Sequence, residues 1–85
     1  MERDLDFTMK FEAVSEEKIS VEEMISTVHE ALLEKGYNPI NQIIGYILSG
    51  DSSYITSHKN ARTMIKKFER DEILEEVITD YLNRK

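Results

Sequence analysis

SVEEMISTVHEALLEKGYNP, residues 20–39, carries a whole helix, both of its ends and the opening of a second helix in one run. Ser20 followed three positions later by Glu23 is the capping-box spacing, in which each side chain satisfies an amide that the first helical turn leaves unpaired. Val21, Met24, Ile25, Val28, Ala31 and Leu32 recur at three- and four-residue steps, which predicts an amphipathic helix to about Lys35. Gly36 is placed to take the left-handed conformation that ends it. Asn38-Pro39 then predicts the next helix start, with Asn38 as the N-cap and Pro39 at the first helical position. His29 adjoins the apolar stripe; with no second histidine near it and no cysteine, it reads as a packing or boundary residue rather than a metal ligand.

Downstream, Ile40, Ile43, Ile44, Ile47 and Leu48 form a dense stripe with Tyr46 beside it, and this second helix is expected to be the most buried. Gly45 inside it costs about 1 kcal/mol against alanine and is expected to let another helix approach closely. Gly50 closes the helix and opens a turn, and Tyr54 and Ile55 are expected to anchor a short helical turn after it. A helical region follows from about His58 or Asn60 to Asn83, with apolar positions Ala61, Met64, Ile65 and Phe68, then Ile73, Leu74, Val77, Ile78, Tyr81 and Leu82. The five-residue step from Phe68 to Ile73 breaks the rhythm. It implies a bend or break around Glu69 to Asp71 with Asp71 as a cap, or one continuous helix whose halves face different neighbours. Upstream, Phe7, Met9 and Phe11 alternate with Thr8 and Lys10, so residues 1–18 read as a flexible or extended arm, or a strand-like strap laid over the helical body of residues 19–85.

Eighty-five residues, 40% apolar, make one small all-α domain of four to five helices whose core is marginal on its own, so a second copy is an expected source of burial. The absence of cysteine excludes disulfides, thiolate nucleophiles and Cys-ligated metal. No apolar run reaches the roughly 18 residues of a membrane span, and Met1 to Asp6 lacks a signal-like stretch, so a soluble cytoplasmic protein is expected.

The net charge of -6 conceals an uneven distribution. Glu12 to Glu34 holds seven acids and one base, Lys59 to Arg70 five bases and one acid, and Asp71 to Asp80 five acids and no base. Lys59, Arg62, Lys66 and Arg70 stand 3, 4 and 4 residues apart, so a continuous helix would align them as a basic ridge able to receive a phosphate, a carboxylate cluster or an acidic helix. The bland reading is a solvated face whose charges pair within and between helices.

Catalysis finds no constellation. Gly36, Gly45 and Gly50 are too sparse for a phosphate loop, no metal-type histidine spacing occurs, and Ser57-His58 are sequence neighbours rather than an oriented nucleophile and base. A non-enzymatic protein without cofactor or metal is expected. The chain can instead be a substrate: Thr8 offers a hydroxyl in the arm, where a phosphate would add about 1.5 to 2 negative charges. Taken alone, Thr8 is one candidate among Ser15, Ser20 and Thr27.

These motifs together form a recognisable pattern. Thr8-Met9-Lys10-Phe11, the run Glu34 to Ile43, Tyr46 to Asp51, and the block His58 to Ile73 with Ala61-Arg62 and Glu69-Arg70-Asp71-Glu72 resemble the IreB family of small regulatory phosphoproteins over nearly the whole chain. The resemblance implies an all-helical homodimer with a helix-turn-helix-like element. It implies phosphorylation at Thr8 by a membrane-anchored PASTA-domain Ser/Thr kinase, reversed by a cognate phosphatase. It implies a role in cell-envelope regulation, in part of the family through Clp-dependent turnover of the first committed enzyme of peptidoglycan synthesis. The family's basic block carries over to His58, Arg62, Lys66 and Arg70. The chain departs from the pattern at Thr56-Ser57, where relatives usually read Pro-Arg, and at Lys66, where arginine is common and a lysine cannot supply the same bidentate fork.

The resulting expectation is a dimeric adaptor whose arm is switched by phosphate and whose partner surface comprises His58, Lys59, Arg62, Lys66 and Arg70. The alternative is a helix-turn-helix DNA-binding regulator built around Gly50, against which the acidic total and the acidic run from Asp71 to Asp80 both speak.

Overall fold

The computed structural model describes residues 19–84. The arm over residues 1–18, Thr8 included, lies outside the described residues. Among those residues the chain is all-α: α1 (Val21–Glu34), α2 (Pro39–Ser49), a 3₁₀ turn at Ser52–Tyr54, a second at His58–Asn60, α3 (Ala61–Ile65) and α4 (Arg70–Asn83).

α1 starts as its sequence dictates. Ser20 Oγ accepts from the Glu23 amide at 3.0 Å, and the Ser20 amide donates to Glu23 Oε1 at 3.1 Å. At the other end Gly36 takes φ +85°, and the Tyr37 amide turns back to the Leu32 carbonyl at 2.9 Å, satisfying a group that the helix end would otherwise orphan. Between these ends Val21, Met24, Val28, Ala31 and Leu32 are buried. They form the centre of a core completed by Tyr46, Ile55, Ala61, Ile65 and Ile73.

α2 begins on Asn38, whose Oδ1 accepts from the Asn41 amide at 3.1 Å, with Pro39 at the first turn. It is not the most buried helix. Pro39 and Tyr46 are buried and Ile43 and Ile47 are partly so, but Ile40, Ile44 and Leu48 are 66%, 50% and 80% exposed. The five aliphatic side chains span more of the helix circumference than one neighbour can cover. α1 takes one edge and the stripe at i, i+4, i+8 is left outward.

Gly45 does permit a close approach, but by a ring rather than by a helix. A Cβ there would lie 2.5 Å from a ring carbon of Tyr54, so the 3₁₀ turn after α2 folds its tyrosine onto the bare backbone. Gln42 Nε2 holds the same turn by donating to the Tyr54 carbonyl at 2.9 Å. Ile55, next in sequence, is fully buried and anchors the turn to the core.

The region from His58 to Asn83 is broken, not continuous. α3 ends at Ile65, the amides of Lys67 and Phe68 donate to the carbonyls of Met64 and Ile65, and α4 starts at Arg70. The cap is Glu69 rather than Asp71: its amide donates to Glu72 Oε1 at 3.3 Å. The five-residue step thus spans the end of a non-helical connection at residues 66–69 and the first turn of α4, which lets Ile65 and Ile73 reach the same core from two helices.

Candidate functional site

The basic residues singled out in the sequence occupy four different local structures, and no single helix face carries them. Lys59 lies in the second 3₁₀ turn, Arg62 inside α3, Lys66 at the C-cap of α3 and Arg70 at the first position of α4. Because α3 is five residues long, the 3-4-4 spacing cannot build a ridge along it.

Lys59 and the residue after it turn the chain sharply. Lys59 has φ 57° and Asn60 φ 62°, two consecutive non-glycine residues in the left-handed region. This reversal directs His58 and Lys59 back to α1. His58 Nε2 lies 2.8 Å from Glu34 Oε1, and Lys59 Nζ lies 3.0 Å from Glu34 Oε2 and 3.3 Å from Glu30 Oε2. An ionised carboxylate only accepts, so His58 Nε2 is the donor in this contact. The hydrogen bond from His58, then that from Lys59, holds the Glu34 carboxyl below the usual carboxylate range. Glu34, with Glu30, correspondingly raises the Lys59 ammonium.

The two arginines serve carbonyls. Arg62 Nε donates to Ile55 O at 2.8 Å across the half-buried inside of the loop, and Arg70 Nη1 donates to Ile47 O at 2.9 Å. Ile47 belongs to the last turn of α2, whose carbonyls have no helical partner, so a guanidinium there both bonds an orphan and meets the negative end of the helix dipole. Gly50, left-handed at φ +77°, gives its amide to Tyr46 O at 2.7 Å and lets the Arg70 guanidinium lie against its α-carbon: a Cβ there would sit 3.0 Å from Arg70 Cζ. Beside this loop Asp51 Oδ1 accepts from the amide and hydroxyl of Ser53 at 3.0 and 2.8 Å. Those bonds first, and the nearby Arg62 charge last, keep its carboxyl low.

The sequence-predicted residues are therefore gathered around the α2–α3 connection, though mostly as internal fastenings. His58 and Lys59 are fastened to α1, Arg62 to the loop and Arg70 to the end of α2, while Lys66 is exposed beside them. A guanidinium with one N–H committed retains further donors, so Arg62 and Arg70 keep recognition capacity at their outer edges. Glu30 and Glu34 were not foreseen as part of this cluster. Their i,i+4 spacing on α1 is visible in the sequence, but their partners lie 24 and more positions away.

His29 is exposed, and no group of His, Cys, Asp and Glu suited to a metal occurs among the described residues. No helix among them is long and apolar enough to cross a membrane. A cleft of about 350 Å³ lies elsewhere, between α1 and α4, lined by Val21, Glu22, Ile25 and Ser26 on one side and Glu76, Val77, Asp80 and Arg84 on the other.

A family model described as IreB regulatory phosphoprotein matches residues 6–83. A UPF0297 protein of Clostridioides difficile (strain 630) is 76% identical over 85 residues, covering the whole of both chains. A UPF0297 protein of Ruminiclostridium cellulolyticum is 56% identical over 75 residues, 88% of this chain and 85% of that one.

Proposed function

We propose, for a chain that belongs to the IreB family of regulatory phosphoproteins, that it works by binding other proteins under the control of phosphate at Thr8. It is a regulatory protein of a non-enzymatic family, and its chemistry is that of surfaces. The observation that carries the reading is the unmatched apolar area of two helices. Ile40, Ile44 and Leu48 on α2 and Leu74, Ile78 and Leu82 on α4 are each more than 40% exposed, on a domain too small to leave so much of its aliphatic content in water without a partner.

One such partner is a second copy, giving the homodimer that the family resemblance implies. The other is a protein docked at the α2–α3 connection, where Lys66 and the outer edges of Arg62 and Arg70 offer positive charge to a phosphate or an acidic surface. The kinase is of the PASTA-domain Ser/Thr class and a cognate phosphatase reverses it. The setting is cytoplasmic control of cell-envelope synthesis, through the Clp-dependent turnover of a peptidoglycan-precursor enzyme. Support for these partners comes from the family and from a threonine in the matching arm motif.

The helix-turn-helix reading has less support. Residues 50–60 separate α2 from α3, where the DNA-binding motif uses a turn of three or four residues, and a five-residue α3 is short for a recognition helix.

The test compares partner binding by the unmodified protein, the Thr8-phosphorylated protein and Thr8→Ala. Phosphate is expected to change affinity severalfold while Thr8→Ala binds like the unmodified chain, and equal binding by all three forms removes the switch. Lys66→Glu, an exposed change that leaves the internal fastenings intact, is expected to weaken the same partner. Ile44→Lys and Ile78→Lys are expected to shift the sedimenting species from dimer to monomer.

A further inference from the structure

We infer that the cleft between α1 and α4 is the seat of this chain's own N-terminal segment, with Phe7, Met9 and Phe11 as the side chains that fill it. Three observations lead there. The first is where the chain runs. Ile19 is half-buried against the core and Val21, two residues on, lines the cleft, so the segment before Ile19 departs from the cleft's own rim. Eight residue-to-residue steps lead from Phe11 to Ile19 and span up to roughly 26 Å. That is more than the roughly 21 Å length of a fourteen-residue helix such as α4. The apolar run can therefore lie anywhere along the cleft.

The second is shape. About 350 Å³ between two helices admits a few side chains and an extended strand of backbone, not a further helix some 10 Å across. An extended segment puts Phe7, Met9 and Phe11 on one face, matched to Val21, Ile25 and Val77 on the floor.

The third is polarity. Apart from the groups that helix ends leave unpaired, two helices offer a strand no backbone groups to pair with, so most of its amides need side-chain acceptors. The rim supplies the Ser26 hydroxyl and the carboxylates of Glu22, Glu76 and Asp80, with Arg84 Nη2 2.8 Å from Asp80. Thr8 and Lys10 face outward in that arrangement. Lys10 meets the acidic rim favourably, while Asp6 and Glu12, at alternate positions with Thr8 and Lys10, share their face and reduce that attraction. A phosphate on Thr8 would face the same carboxylates and be repelled, releasing the segment; that last step alone rests on the acceptor proposed above.

The chain has no cysteine, so introduced thiols are the only ones. Met9→Cys paired with Val77→Cys is expected to close a disulfide within one chain at least about tenfold faster than Met9→Cys paired with Thr63→Cys at an exposed position of α3. Similar rates for both pairs, or a Val77 disulfide joining two chains, overturn the seat in favour of a wandering segment or of a second copy in the cleft. Independently of any thiol, replacing Phe7, Met9 and Phe11 together by serine should move the methyl resonances of Val21, Ile25 and Val77 and leave those of Leu32 and Ile65 in place. Unmoved cleft methyls overturn the proposal. Phosphorylation at Thr8 is expected to slow closure of the Val77 pair severalfold; closure at the same rate overturns the release step and leaves the seat supported.

Discussion

α1 and α4 are each fourteen residues long and each begins on a glutamate-containing capping arrangement, yet α1 buries five side chains and α4 buries Ile73. Local chemistry makes both helices; what they are worth to the fold differs. In α1 the apolar residues fall in one stripe that α2, α3 and the loop between them enclose. In α4 they are divided. Ile73 and Val77 turn toward α1 on an edge shared with Asp80 and Arg84, while Leu74, Ile78 and Leu82 form a second edge facing outward. Short isolated helices are marginal in water, so α4 depends on what covers it more than α1 does.

The widest gap between the two helices should appear on truncating their aliphatic side chains. Leu32→Ala, at a fully buried position of α1, is expected to cost about 2–5 kcal/mol in urea unfolding, whereas Ile78→Ala in a dilute monomer should stay within about 0.5 kcal/mol. Equal costs would break the contrast. Next comes Arg70→Ala, which cuts the tether from the first residue of α4 to Ile47 O. The expected loss is about 1 kcal/mol, with faster amide exchange concentrated at Asp71 to Ile73 and none of it in α1.

The caps sharpen the same point. Ser20→Ala should cost about 1 kcal/mol of global stability, because α1 unfolds only with the core, while Glu72→Ala should show as fraying confined to the start of α4. The smallest effect concerns the end of α1. Glu34 is held below its ordinary value by His58 and Lys59, so it stabilises the fold above about pH 4.3, and that contribution fades as pH falls through the lowered value. Glu34→Gln should therefore lower stability slightly at neutral pH and leave it little changed at low pH, which flattens the acid limb of the stability curve. The pair is nearly half exposed, so the flattening should be small beside the core substitutions.

The helix boundaries were legible where a short-range rule governs them. Ser20 with Glu23, Gly36, Asn38-Pro39 and Gly50 each act within a few residues of themselves, and their geometry can be worked out from spacing alone. What depends on neighbours distant in sequence was not. Periodicity shows that α2 has a stripe but not that α1 covers one edge of it, so Ile40, Ile44 and Leu48 read as interior. The basic spacing presumed one helix from Lys59 to Arg70, and the left-handed pair followed by the break at Lys66 to Glu69 dispersed it. Nor does a single sequence reveal that Lys59 answers Glu34 or that Arg70 answers Ile47 O.

The left-handed pair at Lys59 and Asn60 has one more consequence, in ionic strength. A non-glycine residue there sits about 1–2 kcal/mol above its ordinary backbone conformation, and for Lys59 the attraction of Glu30 and Glu34 offsets part of that. Mobile ions screen the attraction but not the backbone torsion. The chain reversal that leads into α3 is thus the part of the body that added salt loosens first, and Lys59→Gly would remove both the torsional cost and the sensitivity to salt.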